Sequence, residues 1–175
     1  MTTLATLARL FIGATLVCAP AACSAPATTP KTTVTGAAHA HNPGDHNHER
    51  GKMLLASDGS YNALLTSHLS AKDGNELDIF VEDKDGPYAL SAKTLTATAR
   101  LAGESEKHEI SFECAPADER PANEGAGTCS HYVAKVPWMA STANLRVDTS
   151  LPIGSRSVPM VWHQFSAKKY AHHEE

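Results

Sequence analysis

Alternation of apolar with polar residues constrains this chain most. Leu95, Ala97, Ala99 and Leu101 alternate with Thr96, Thr98 and Arg100. Successive side chains leave a β-strand on opposite faces, so this spacing gathers the apolar set on one face and the polar set on the other. The same parity joins Tyr61, Ala63, Leu65 and Leu69, then Leu77, Ile79 and Val81, then Ile110, Phe112 and Cys114. It recurs in Tyr132, Ala134 and Val136, in Leu145 and Val147, and in Val158, Met160 and Trp162. Turn-forming residues punctuate the runs: Asp58-Gly59, Asp73-Gly74-Asn75, Asp85-Gly86-Pro87, Ala102-Gly103 and Pro152-Ile153-Gly154. Short strands at this spacing, with no helical run between them, predict an all-β fold: an immunoglobulin-like antiparallel β-sandwich of seven or eight strands over residues 50–175. Pro159 cannot donate to a ladder, so its strand is expected at a sheet edge.

The first 49 residues read differently. Arg9 is the only charge in Met1–Pro30, and Leu10–Ala19 is an apolar run of signal-peptide length, too short to span a bilayer. Residues 1–22 are therefore expected to be an export signal. Two cleavage readings stay open. Ala21-Ala22-Cys23 resembles a bacterial lipoprotein signal in which Cys23 is lipidated, although Pro20 stands where an aliphatic residue is usual. Cleavage at Ala19-Pro20-Ala21 would instead release a soluble periplasmic or secreted chain. Residues 23–49 are rich in Ala, Thr and Pro and lack large apolar side chains, so they are expected to form a disordered tether ending in a His-rich segment. The implied location is the periplasmic side of the cell envelope, with the membrane reached through the lipid.

Cysteine arithmetic supports export. Cys18 leaves with the signal, lipidation accounts for Cys23, and Cys114 and Cys129 remain as a pair flanking a Pro/Glu/Gly-rich loop. A structural disulfide is the expected outcome; a metal site using both thiolates is the competing one.

The ten histidines are unevenly spread. His39, His41, His46 and His48 crowd the end of the tether, and His172 and His173 stand at the other end of the domain. Neutral imidazole is a good ligand for Zn(II), Cu(II), Ni(II) and Co(II), and Asp45, Glu49, Glu174 and Glu175 lie nearby to complete a shell. These six histidines are the candidate metal ligands, with affinity expected to fall below about pH 6 as imidazoles protonate. The competing reading is a solvated tail that binds metal incidentally. His68 and His108 fall on the polar parity of their strands and are expected at the surface; His131 and His163 are expected to be structural, nearer a sheet edge. Met53, Met139 and Met160 are expected to serve packing, and Trp138 to anchor a loop.

No Gly-x-Ser-x-Gly, phosphate-loop, His-Glu-x-x-His or thiol-protease signature occurs, so no enzyme activity is expected. A formal charge of −4, mixed in sign, offers no nucleic-acid surface. The His-rich lead, RGKMLLASDGSYNALLT and ELDIFVEDKDGPYALSAKTLTATARL resemble small envelope proteins of metal-exposed bacteria. They also resemble the front β-sandwich module of heavy-metal efflux adaptor proteins. In that pattern an Asp-x-Asp-Gly turn, here Asp83-Lys84-Asp85-Gly86, leads to a strand of small apolar residues, here Leu95–Leu101. The resemblance implies a periplasmic role in heavy-metal resistance or homeostasis, with envelope efflux components as partners. The ordering cost of a flexible His-rich tail suits buffering or delivery of the ion. The alternative is a structural or protein-interaction lipoprotein with no specific metal role.

Overall fold

The computed structural model describes Arg50–Glu174. The predicted signal, the lipidation residue Cys23, the tether and the ligand candidates His39, His41, His46 and His48 lie outside the described residues. From Arg50 onward the chain is all-β. Its strands are β1 (Leu54–Ser57), β2 (Asn62–Leu69), β3 (Glu76–Asp83), β4 (Gly86–Pro87), β5 (Thr94–Leu101), β6 (His108–Cys114), β7 (His131–Lys135), β8 (Asn144–Ile153), β9 (Arg156–Ser166) and β10 (Ala171–Glu174). Ten strands replace the expected seven or eight because β1, β4 and β10, of four, two and four residues, carry too little alternation to be read from sequence.

One sheet runs β1-β2-β3-β7-β6-β5-β8-β9 and curls until its two ends meet, a nearly closed barrel. Its halves, β1-β2-β3-β7 and β6-β5-β8-β9, face each other as the layers of a sandwich do. They stay joined at one side by a short ladder, Glu113 opposite Val133 and Cys114 opposite Tyr132. At the other side the Trp162 indole of β9 donates its Nε1–H to the Leu54 carbonyl of β1 at 2.8 Å. That side-chain bond brings together strands with no ladder between them. All consecutive pairings on this path are antiparallel; the exception lies off it, where β10 runs parallel to β2.

The predicted apolar parity is buried, and β2 and β3 also bury Leu64, Thr66 and Asp78 of the opposite parity. Leu65, Leu77, Ile79, Ala99, Phe112, Tyr132, Val147 and Trp162 all lie in a single buried core. Pro159 is exposed on β9, the last strand of the order, facing Ser150 of β8. At the β1–β2 hairpin, Gly59 takes φ +95°, a backbone region that L side chains rarely adopt. The Asp58 carboxylate accepts the Ser60 and Tyr61 amides at 2.9 and 2.7 Å. Those backbone donors hold its carboxyl below the ordinary aspartate range.

Cys114 and Cys129 form the expected disulfide, Cα atoms 5.8 Å apart. Beside it the buried Glu124 carboxylate accepts Arg120 Nη1 at 2.7 Å, the Ser130 hydroxyl at 2.6 Å and the Ser130 amide at 3.0 Å. These contacts pin the loop from Ala115 to Thr128 onto the start of β7.

Candidate metal centre

One edge of β2 is taken throughout by β3, whose ladder runs from Asn62 opposite Glu82 to His68 opposite Glu76. Two strands share the other edge. Strand β1 pairs there with Leu54 opposite Leu65, and β10 with Ala171 opposite Ser67. The first and last strands of the domain thus abut on one edge, two residues apart along β2. Because β1 runs antiparallel to β2, its first residue, Leu54, is the one nearest β10.

The β10 ladder slips by one residue between Ala171 and His173, so His172 is the extra residue of a bulge. Bulges re-aim side chains, and His172 turns to the outer face of β2. Its ring centroid lies 5.8 Å from that of His68, and its Nδ1 is 3.3 Å from Thr66 Oγ1. Thr66 is wholly buried beneath this strand and donates its hydroxyl proton to the Tyr170 carbonyl at 2.6 Å. With that proton committed, Oγ1 can only accept from His172. Nδ1 therefore carries a hydrogen, which in the neutral ring leaves the lone pair on Nε2. Metal-ligating imidazoles are commonly oriented in this way, by donating the second ring N–H to a fixed oxygen.

One strand inward, Asp78 of β3 faces Thr66 in register and is buried at 4 % exposure. Its Oδ1 lies 3.3 Å from His131 Nε2, while Oδ2 has no hydrogen-bond partner among the described residues. His131 Nδ1 faces the Glu119 carbonyl at 3.1 Å, and the ring stacks on Phe80 at 4.1 Å. Both ring nitrogens thus meet an oxygen, one on the sheet and one on the loop. His131 is accordingly a structural clamp holding the disulfide loop to the sheet. It sits in a strand between β3 and β6 rather than near a sheet edge.

The remaining histidines do other work. His108 stacks on Trp138 at 4.1 Å, so each covers part of the other. His163 is exposed, and its Nδ1 accepts Arg146 Nη1 at 3.1 Å. Met139 and Met160 are buried in the core, as packing requires. Of the six predicted ligands, the structure places His172 on the outer face of β2 and His173 by its backbone, opposite His68. His68, which its parity assigned to bulk solvent, is half-buried beside His172. Nothing local to His68 announces that partner; only the pairing of β10 with β2 does.

Among the described residues, one group of three His, Cys, Asp or Glu has donor atoms within 4.8 Å of one another: Cys114, Glu124 and Cys129. Both of its sulfurs are committed to the disulfide, and both oxygens of Glu124 to Arg120 and Ser130. It does not fit a metal ion. His68 and His172 are a two-imidazole start that needs ligands from elsewhere in the chain. No helix among the described residues is long and apolar enough to cross a membrane. No protein-family model matches the chain, and no curated protein or solved structure matches it either.

Proposed function

We propose that this chain is an exported metal-binding protein, anchored to the envelope by lipid on Cys23, that buffers or delivers Zn(II), Cu(II), Ni(II) or Co(II) and has no enzymatic activity. The ion is its cargo, and envelope efflux components are the partners to which it would pass that cargo. The observation that carries the reading is the shared edge of β2. Strands β1 and β10 abut there, and His172 stands beside His68 with its tautomer set by Thr66. His48 is six residues before Leu54, so covalent reach keeps it within about 20 Å of that strand's start. Imidazoles from a tether cost entropy to order, which favours modest affinity and rapid exchange, as buffering requires.

Replacing His39, His41, His46, His48, His172 and His173 together by alanine is expected to abolish stoichiometric Zn(II) uptake in titration calorimetry at neutral pH. An unchanged isotherm overturns the assignment. The single change His68→Ala is expected to weaken uptake without abolishing it.

A further inference from the structure

On the other half of the sheet, an open groove of about 600 Å3 lies between the β5–β6 turn, the outer face of β8 and β9, and the turn before β10. Its polar lining includes Arg100, Arg146, Lys169, His163, Gln164 and Glu104. Arg100 of β5 stands directly opposite Arg146 of β8. Like charges facing each other across a ladder weaken a sheet, so the pair costs stability rather than adding it.

Asp148 accepts hydrogen bonds from Arg146 directly and attracts Arg100 through space. Arg146 Nε lies 3.2 and 3.0 Å from the two Asp148 oxygens, and its Nη2 lies 2.8 Å from Oδ1. Among the described residues Arg100 and Lys169 make no ion pair, and the Lys169 ammonium rests 4.9 Å from the centre of the Tyr170 ring. Counting Arg100, Arg146 and Lys169 against Glu104 and Asp148 leaves three positive and two negative charges. The chain as a whole carries −4.

Neutral donors add to these two cations, neither of which makes a direct ion pair among the described residues. His163 Nδ1 accepts from Arg146, so its hydrogen sits on Nε2, and the Gln164 amide lines the same groove. A guanidinium fork, an ammonium and N–H donors around an open cleft match a tetrahedral oxyanion carrying one to two charges.

The geometry points to a phosphate-binding groove, in which Arg100 and Lys169 hold the anion and His163 Nε2–H supplies a further donor. The phosphate can come from a free phosphate or phosphomonoester, or from the headgroup of an anionic phospholipid. The site is separate from the imidazole edge and independent of metal uptake.

The test uses the purified protein at neutral pH and constant ionic strength. One arm titrates inorganic phosphate and follows amide shifts by NMR; the other measures co-sedimentation with phosphatidylglycerol vesicles against phosphatidylcholine vesicles. Arg100→Gln with Lys169→Gln is expected to weaken binding at least tenfold while leaving the near-ultraviolet circular dichroism and Zn(II) uptake unchanged. Lys93→Gln with Lys168→Gln removes the same charge outside the groove and is expected to leave binding intact. Loss in the phosphate arm assigns a soluble ligand, and loss in the vesicle arm alone assigns a lipid headgroup. Absence of saturable binding in both arms, or equal weakening by the two double variants, overturns the proposal.

Discussion

Replacing Thr66 by valine separates the orientation of His172 from its presence. The two side chains have nearly the same volume, so the wholly buried position stays filled; what changes is the hydroxyl. Two hydrogen bonds disappear, the 2.6 Å donation to the Tyr170 carbonyl and the 3.3 Å acceptance from His172 Nδ1. The Tyr170 carbonyl keeps the Ser67 amide at 3.1 Å, and the half-buried imidazole can turn to water. Neither group is left stranded, so the stability cost is about 1–2 kcal/mol, near the net worth of two ordinary hydrogen bonds. At roughly 4 °C per kcal/mol for a domain of this size, the melting temperature should fall by about 4–8 °C.

The effect on metal should exceed what this destabilisation implies. Removing an oxygen that orients a ligating imidazole typically costs about 10–100-fold in affinity. Zn(II) titrations of wild type, Thr66→Val, His172→Ala and Thr66→Val/His172→Ala provide the assay, run well below the melting temperature. The double variant should bind no more weakly than His172→Ala, because the threonine acts through the histidine. Thr66→Val binding within twofold of wild type, or additive losses in the double variant, would refute the tautomer argument.

Other consequences follow from the fold. Replacing Cys114 and Cys129 by serine frees a loop with a sequence separation of 15, and the chain-entropy treatment puts the cost at about 3 kcal/mol in urea unfolding. A loss under 1 kcal/mol would mean that Glu124, Arg120 and Ser130 constrain the loop without the bridge. Tyr132 is buried, with its hydroxyl donated to the Ala92 carbonyl at 2.7 Å, and burial pushes its phenol well above the ordinary tyrosine range. A raised folded-state value means that its contribution is fully present below about pH 10 and lost as pH rises beyond it. Tyr132→Phe should therefore cost about 1–3 kcal/mol at neutral pH and flatten the alkaline unfolding limb; an unchanged limb contradicts this. Trp162→Phe keeps an aromatic ring in the core but removes the donor to Leu54. Amide exchange should quicken in β1 before it does in β5 or β8, and uniform quickening would show that the indole bond does not hold that side of the barrel together.

Most of the fold was legible because period-2 alternation is a local property. Each strand from β5 to β9 buries the parity its sequence displays, and the Asp-Gly and Pro-Ile-Gly turns fall where backbone conformation demands them. The pairing of Cys114 with Cys129 followed from counting, since the predicted fates of Cys18 and Cys23 leave no other partners. Strands β1, β4 and β10, of four, two and four residues, escaped because so few residues carry no periodic signal.

The candidate site divides along the same line. Sequence alone could name imidazoles crowded at both ends of a β domain, since composition and spacing are properties of the chain. It could not say that β10 returns to lie beside β1, that a bulge turns His172 outward, or that Thr66, 106 residues away, sets its tautomer. Nor could it place Arg100 across from Arg146, or bury Asp78 and His131 on what alternation marks as the polar face. Those arrangements depend on which strands neighbour one another and in what register, and register is decided only when the whole apolar set closes around a common core.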